Sequence, residues 1–351
     1  MPHPRILSIA TATPPYRLDQ DDVTRRAAEL FGGNFKTLER LLPVYGNAAI
    51  ETRYSCVPMY WYMADHGFGE RNRLYLENAV DLLEKAAGDC LAEAGLAPPD
   101  IDIIVAVSTT GIATPSLDAL LMERMAFRRD VQRLPIFGLG CAGGVLGLAR
   151  AAAMARARPD ARVLFLVVEL CGLTFRRGDR SKSNIVATAL FGDGAAAAVV
   201  SCRGGEERPA VTAWGEHTWP ESLGVMGWDV SDDGLGVLFS SDIPNLVRNE
   251  LRAVAAAYLE THGQTLDGID SFICHPGGAK VIDALEEVFG IESGGLTHTR
   301  SVLRDYGNMS AATVMFVLKR ALADQPGSPR RHLMSSLGPG FSVGFLTLEQ
   351  P

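Results

Sequence analysis

Strand-like apolar runs alternate with amphipathic helical runs along this chain, and this alternation limits its fold more than any other feature. The strand-like runs are rich in β-branched residues, as expected of strands covered on both faces of a sheet. The helical runs carry their apolar residues on one face. The predicted strands are 101–108, 162–169, 195–201 and 268–274, and the predicted helices are 78–94, 247–259 and 281–289. This order predicts an α/β fold with covered sheets.

A weak internal repeat adds to this prediction. Three short segments of the first half resemble three segments of the second half in the same order, the third pair at a shorter offset than the first two. The pairs are residues 101–111 with 269–278, residues 140–144 with 306–310, and residues 191–194 with 337–340. Repeats this degenerate also arise by chance. If they are real, two similar βαβ halves pack together, with a site where their equivalent loops meet.

Composition excludes several classes of function. The chain has 351 residues, a formal net charge of -8 and a sequence pI near 5.4. Nucleic acids and anionic membranes need a cationic surface, so neither is expected as a partner. No apolar stretch approaches the roughly 20 residues of a membrane-spanning helix, and the first residues lack the pattern of a secretory signal. We therefore expect no stable membrane insertion.

The cysteines indicate a compartment. The chain has six, and none forms a C-x-x-C pair. Their scatter suggests neither a zinc site nor a disulfide framework. Most are expected to be small buried residues of the core. We expect no metal and a reducing, cytoplasmic location.

Cys141 is the first candidate catalytic residue. Glycines stand on both sides of it, and a strong helix former follows at 145–155. At such a junction a thiol meets the free N–H groups and the positive end of the helix, which favour the reactive thiolate. A small residue chosen for close helix packing is the alternative interpretation.

His275 and Asn308 occupy comparable junctions. His275 ends an apolar strand and precedes Pro276, at the carboxyl end where α/β sheets usually carry ligands. Asn308 stands just before a helical run at 311–323, where asparagine is also a common helix cap. A lone histidine is more often structural. Together, however, a cysteine can hold an acyl group while a histidine and an amide donate hydrogen bonds to a carbonyl oxygen.

Five ordered motifs resemble those of the type III polyketide synthases, the chalcone synthase superfamily. They are Gly140-Cys141, residues 190–197 (LFGDGAAA), 275–278 (HPGG), 306–310 (YGNMS) and 338–340 (GPG). The resemblance extends from the first strand to the last. Residues 51–77 and 224–229 (GVMGWD) further resemble the bacterial branch that makes alkylresorcinols and alkylpyrones from long fatty acyl starters.

The resemblance implies a thiolase-type αβαβα layered fold built from two similar halves, 1–205 and 206–351, and a homodimer. It implies that Cys141 accepts the starter from a fatty acyl-CoA or an acyl carrier protein thioester. His275 and Asn308 then stabilise the enolate formed when malonyl-CoA loses CO2, and this carbanion attacks the acyl group. Repetition and ring closure release a resorcinol or a pyrone. CoA thioesters are substrates here, and no cofactor is implied.

The resemblance also assigns cavity residues. Phe191 matches one gatekeeper between the CoA tunnel and the cavity, although core packing is an equal alternative. Val237 falls on the second gatekeeper position and would leave a wider passage. Trp228 stands where plant enzymes tend to have glycine, and Cys171 replaces a threonine. These two differences favour a linear starter over a phenylpropanoid one. The remaining positions assigned to substrate binding are Thr110, Ser310 and Gly340.

The CoA-binding cluster of the plant enzymes is poorly kept. Arg40 matches it loosely, and Asn47 stands where a lysine is usual. Lys280, just past His275, is a candidate replacement near a phosphate. An ordinary solvated lysine is the alternative.

Other functions remain as alternatives. A ketoacyl synthase III-like enzyme would share the triad and perform one condensation. A degradative thiolase would need a second cysteine as base, which residues 336–345 lack. A papain-like protease shares the chain order Cys, His, Asn, but the local sequence around its cysteine is absent here. A non-catalytic binding module would make the three residues a coincidence.

Overall fold

The structure is a computed structural model that describes residues 2–31, 43–324 and 330–351. The strands are β1 (Arg5–Ala12), β2 (Tyr16–Asp19), β3 (Thr52–Ser55), β4 (Ile103–Val107), β5 (Gln132–Ile136), β6 (Arg162–Leu170), β7 (Asp193–Ser201), β8 (Ala210–Thr218), β9 (Met226–Ser231), β10 (Gly234–Phe239), β11 (Ser271–Cys274), β12 (Arg330–Gly338) and β13 (Ser342–Gln350). The helices are α1 (Gln20–Phe31), α2 (Phe68–Glu93), α3 (Leu117–Met122), α4 (Gly143–Ala157), α5 (Lys182–Leu190), α6 (Ile243–Glu260), α7 (Ala279–Phe289), α8 (Thr297–Tyr306) and α9 (Thr313–Ala323).

The predicted strands and helices are confirmed, with changes at their ends; the largest is in α2, which begins at Phe68, ten residues before the predicted start at 78. Every residue of β4 and of β7 is buried, as their apolar, β-branched and small residues predict for strands covered on both faces. The last predicted strand begins at Ser271 instead of residue 268, because Leu266–Gly268 forms a 3₁₀ turn. Residues 202–209 connect β7 to β8.

One large sheet repeats the same strand pattern twice. Its order is β11-β12-β13-β8-β1-β7-β6-β4-β5. In the first half β4 and β6 are parallel, and β7 is antiparallel to both β6 and β1. In the second half β11 and β12 are parallel, and β13 is antiparallel to both β12 and β8. The halves meet where Arg5 of β1 pairs with Ala210 of β8. Strand β4 is therefore the equivalent of β11, and β7 of β13.

The helices cover this sheet in layers. Helices α4 and α9 form one apolar cluster with residues of both halves, such as Phe165 and Leu346, and so lie between them. Helices α2 and α3 cover the other face of the first half, and α6, α7 and α8 cover that of the second half. Each fully buried Leu or Phe side chain contributes roughly 1.5–3 kcal/mol. The αβαβα arrangement of two similar halves is confirmed.

The hairpin β9–β10 lies outside the large sheet and had no counterpart in the sequence prediction. It pairs Met226 with Phe239 and Trp228 with Val237, so alternate residues of both strands share one face. Among the described residues, no helix is long and apolar enough to cross a lipid bilayer.

Candidate active site

Cys141 lies in the middle of a 3₁₀ turn, Gly140–Ala142, that leads directly into α4. Its side chain is 7% exposed, and its thiol contacts the Ser310 hydroxyl at 3.5 Å. The Ser336 hydroxyl donates a 2.6 Å hydrogen bond to the Cys141 carbonyl. Gly338 permits this contact, since a Cβ there would lie 2.6 Å from the Leu139 carbonyl oxygen. Gly338 of the GPG motif thus packs closely against the turn that carries Cys141.

The expectation that the helix end keeps Cys141 as a thiolate is not supported. Burial raises the pKa of the Cys141 thiol to about 12, and the contact with Ser310 only partly opposes this. A rise from 9 to about 12 corresponds to roughly 4 kcal/mol. A helix N-terminus typically contributes only about 0.3–1 kcal/mol. Burial therefore opposes ionisation of the Cys141 thiol in the empty site.

His275 directly follows β11, and its backbone N–H extends the strand pairing to the Ser335 carbonyl at 2.9 Å. The imidazole is buried, and among the described residues neither of its ring nitrogens has a hydrogen-bond partner. Burial lowers the pKa of His275 to about 3, so the ring is neutral at physiological pH. An unpaired buried polar group costs about 1–3 kcal/mol. Such a group is well placed to bind a ligand.

Asn308 lies between α8 and the 3₁₀ turn Ser310–Ala312. Its side-chain oxygen accepts the Ser310 N–H at 2.8 Å, and its Nδ2 donates to the Gly277 carbonyl at 3.3 Å. These two contacts fix the amide, and the second hydrogen on Nδ2 remains for a ligand. Gly307 adopts a φ of +68°, and a Cβ there would lie 2.8 Å from the Leu190 carbonyl oxygen. A glycine is required before Asn308 for this reason.

The three predicted catalytic residues line one cavity, here called the outer cavity. Lys280 and Lys182 also line it, both with exposed side chains. Neither lysine forms an ion pair among the described residues. The outer cavity thus combines a buried thiol, two hydrogen-bond donors and exposed positive charge.

A second cavity, here called the inner cavity, is also lined by Cys141. The substrate-binding residues predicted from the sequence that line it are Cys171, Phe191, Trp228, Val237 and Ser310. Trp228 is held in place because its indole N–H donates to the Thr109 carbonyl at 2.8 Å. The structure therefore brings these residues together around the nucleophile.

Phe239 was missed by the sequence prediction. Its ring makes an edge contact with Phe191, the two centroids 5.8 Å apart, and it lines both cavities. Val237 and Phe239 lie two residues apart on β10 and share its cavity-facing side. Phe239 thus places a second aromatic ring beside Phe191, next to the smaller Val237. The alternation of residues in a strand could have identified Phe239.

Two other predicted positions, Thr110 and Gly340, do not line these cavities. The Thr110 hydroxyl donates to Glu169 at 2.8 Å, and Thr110 lines a separate small pocket with Phe68 and Leu235. Its neighbour Thr109 lines the inner cavity instead. Gly340 lines neither cavity, whereas Pro339 does line the inner one. Arg40 lies outside the described residues.

Glu169 is a buried carboxyl group close to this site. Its Oε2 accepts the Thr109 N–H at 3.0 Å as well as the Thr110 hydroxyl, while Oε1 has no partner among the described residues. Burial raises the pKa of Glu169 to about 8, more than these hydrogen bonds lower it. The carboxyl group is therefore mostly protonated at neutral pH.

Comparisons with known proteins agree with this geometry. Family profiles of the N-terminal and C-terminal domains of chalcone and stilbene synthases match residues 4–204 and 212–348. A Bacillus subtilis (strain 168) protein, provisionally named a chalcone synthase, is 39% identical over 97% of both chains. The 1,3,6,8-tetrahydroxynaphthalene synthase of Streptomyces peucetius subsp. caesius is 38% identical over 98% of this chain and 92% of its own.

A solved structure has the same fold. The crystal structure of 1,3,6,8-tetrahydroxynaphthalene synthase from Streptomyces coelicolor A3(2), described as a bacterial type III polyketide synthase, superposes with a TM-score of 0.93. The superposition covers 99% of each chain at 28% identity.

Proposed function

Because the chain belongs to the chalcone and stilbene synthase family, the type III polyketide synthases, we propose that Cys141, His275 and Asn308 carry out its condensation reaction. The observation that carries this proposal is the outer cavity, which is lined together by the buried Cys141 thiol, the His275 ring with both nitrogens unpaired among the described residues, and the Asn308 amide with one N–H still available. The ketoacyl synthase III-like alternative is set aside, since the family profiles and relatives are those of type III polyketide synthases.

Loading of the starter begins at Cys141. The neutral imidazole of His275 accepts the thiol proton as the sulfur attacks the thioester carbonyl, so that opposite charges form together. The thiol of the carrier then leaves, and the acyl group stays on Cys141. Burial supports this order of events, because an isolated thiolate is unfavourable in the empty site.

Extension of the acyl chain uses the hydrogen-bond donors of His275 and Asn308. The thioester carbonyl of malonyl-CoA accepts hydrogen bonds from His275 and from Asn308 Nδ2. These bonds stabilise the enolate that forms as CO2 leaves, and a neutral imidazole does so without protonating it readily. The enolate carbon attacks the acyl carbon on Cys141, forming a carbon–carbon bond and releasing the sulfur for the next cycle.

For the starter we propose a long fatty acyl group and, as the product, an alkylresorcinol or alkylpyrone. Trp228, Phe191, Phe239 and Val237 give the inner cavity an apolar wall that suits a linear chain. A second candidate is 1,3,6,8-tetrahydroxynaphthalene synthesis, favoured by the relative of that name at 38% identity.

The lysines of the outer cavity support entry of the substrate from that side. The phosphates of CoA, or the phosphopantetheine of an acyl carrier protein, would lie near Lys280 and Lys182. The role of Arg40 stays a prediction.

A homodimer is also part of this proposal. Strand β5 is an edge strand of the large sheet, and edges of this kind are usually covered. Phe137 just after it is 56% exposed, and Ile112 is 44% exposed. A second copy pairing along β5 would cover both the unpaired edge and these side chains.

The test is product identification. Purified protein is incubated with ¹³C-labelled malonyl-CoA, alone and with acyl-CoA starters of increasing length, and the products are identified by mass. Alkylated resorcinols or pyrones from the longer starters are expected. Tetrahydroxynaphthalene from malonyl-CoA alone, with no alkylated product, would reject the fatty starter in favour of the second candidate.

A further inference from the structure

Ser336 is a buried serine on β12, and its hydroxyl is bonded to the backbone of Cys141. The hydrogen bond to the Cys141 carbonyl is 2.6 Å long and joins residues of the two different halves. Ser336 is 2% exposed, and it lines neither the outer nor the inner cavity. Any contribution of Ser336 to the reaction therefore passes through Cys141.

The backbone before Cys141 does little to restrain it. Gly140 has a φ of +47°, a conformation that residues with a side chain rarely adopt. Glycine also leaves the chain more freedom than any other residue does. The orientation of Cys141 therefore depends on contacts from other segments. The Thr109 hydroxyl accepts the Gly140 N–H at 3.2 Å on one side, and Ser336 bonds the Cys141 carbonyl on the other.

The strand that carries Ser336 also holds His275. The Ser335 carbonyl accepts the His275 N–H at 2.9 Å, and the very next residue bonds to Cys141. Neighbouring residues of a strand are fixed about 3.3 Å apart. One short segment of β12 thus determines where the nucleophile lies relative to the imidazole that accepts its proton in the proposed mechanism.

We propose that Ser336 is a positioning residue for the nucleophile. Its hydroxyl holds the Cys141 backbone so that the sulfur points at the thioester carbonyl within reach of His275. This inference rests on the proposed role of Cys141 and adds a residue that acts through it. Loss of the hydroxyl should slow attack by the sulfur. It should leave decarboxylation of malonyl-CoA nearly unchanged, because that step uses His275 and Asn308.

Three variants of Ser336 test this role. Ser336→Ala removes the hydroxyl. Ser336→Thr keeps it, whereas Ser336→Val puts a methyl group in its place at the same bulk, so these two differ only in the donor. The matched control is Ser201→Ala. Ser201 is also fully buried, and its hydroxyl donates to the Ala161 carbonyl at 3.0 Å, but it ends β7 and lines neither cavity.

Two rates are measured on each protein. Acylation of Cys141 by hexanoyl-CoA and by malonyl-CoA is followed by rapid acid quench and peptide mass, and decarboxylation by release of ¹⁴CO2 from labelled malonyl-CoA. Ser336→Ala and Ser336→Val should lower the acylation rate by about tenfold or more, since small misplacements of a reacting group have effects of this size. Both should change CO2 release by less than about twofold. Ser336→Thr should stay within about threefold of the wild type in both reactions, and Ser201→Ala should not change the ratio of the two rates.

Equal losses in the two reactions would overturn the inference, because they would show a merely structural role. Unchanged acylation in Ser336→Ala would overturn it as well. If Ser336→Ala does not fold, Ser336→Thr and Ser336→Val decide the matter, and equal acylation rates in those two would count against Ser336. If the wild-type protein takes no acyl group on Cys141 from either donor, the proposed function itself fails.

Discussion

The two halves of the fold carry equivalent strand ends with opposite chemistry. At the end of β4, most polar groups are paired: the Tyr75 hydroxyl donates to Ser108 at 2.7 Å and Thr110 donates to Glu169, and only Glu169 Oε1 lacks a partner among the described residues. At the end of the equivalent strand β11, the nitrogens of His275 are buried without partners among the described residues. The same scaffold thus supports a closed, structural network in one half and an open site in the other.

The helix starts show the same division of roles. Cys141 precedes α4, and Asn308 and Ser310 precede the equivalent helix α9. The two starts meet where the Cys141 thiol contacts the Ser310 hydroxyl. In the proposed mechanism, one half supplies the nucleophile and the other supplies the hydrogen-bond donors.

The largest effect is expected from removing the nucleophile. Cys141→Ala should reduce product formation to background, since Cys141 is the thiol that lines the outer cavity with His275 and Asn308. Product mass after incubation with acyl-CoA and malonyl-CoA measures this. The control is Cys274→Ala, a buried cysteine that lines neither the outer nor the inner cavity. Turnover surviving in Cys141→Ala would reject the assignment.

A smaller loss of activity is expected when His275 or Asn308 is replaced. His275→Ala and Asn308→Ala should each slow decarboxylation of malonyl-CoA by about 10²–10³-fold, the range seen for loss of one oxyanion donor. Release of ¹⁴CO2 from labelled malonyl-CoA provides the rate.

The control for this pair is His332→Gln. His332 is also a buried histidine, but it lies on β12, hydrogen-bonded to Gln350 at 3.1 Å. Its variant should retain normal CO2 release. If His275→Ala also retained normal CO2 release, His275 at the end of β11 would have no role in decarboxylation.

The hydrogen-bond network at the end of β4 is instead expected to affect the stability of the fold. The pKa of Glu169 is raised from 4.5 to about 8, so the folded protein keeps a proton that the unfolded chain releases. The free energy of unfolding therefore falls as pH rises through this window. Glu169→Gln removes that dependence, and its amide can occupy the unpaired Oε1 position. Relative to the wild type, its stability in urea should gain a few kcal/mol between pH 5 and pH 8.

A constant difference between the two proteins across that pH range would contradict a protonated Glu169. Both proteins are compared at one concentration, so that any self-association contributes equally.

The smallest effect is expected from Thr110→Val. This change removes the hydroxyl that donates to Glu169 and also accepts the Leu170 N–H at 2.9 Å. Stability should fall by about 1–3 kcal/mol, measured by thermal unfolding. Starter preference should not change, because Thr110 lines neither cavity that contains Cys141. An altered chain-length preference would show that Thr110 does contribute to the substrate site.

Much of this arrangement could be predicted from the sequence. Buried strands such as β4 and β7 are visible as apolar runs, because burial on both faces leaves little room for polar residues. Cys141, His275 and Asn308 were found because glycines frame them, and the close approach at Gly307 and Gly338 explains why glycines are there.

The rest depends on contacts between distant segments. Sequence does not show which of Thr109 and Thr110 faces the cavity, since that depends on Glu169 from another strand. Phe239 contacts Phe191 only because a hairpin outside the large sheet folds over the site. The pKa of Cys141 is raised by burial among several segments of the fold, which the local sequence does not show.

The most direct test of the central claim is the location of the acyl group. The wild-type protein is incubated with an acyl-CoA starter alone, quenched in acid, digested and examined by peptide mass. We expect the mass of the acyl group on the peptide containing Cys141, and its loss after malonyl-CoA is added. An acyl group on another cysteine, or none on a protein that still forms product, would contradict the account.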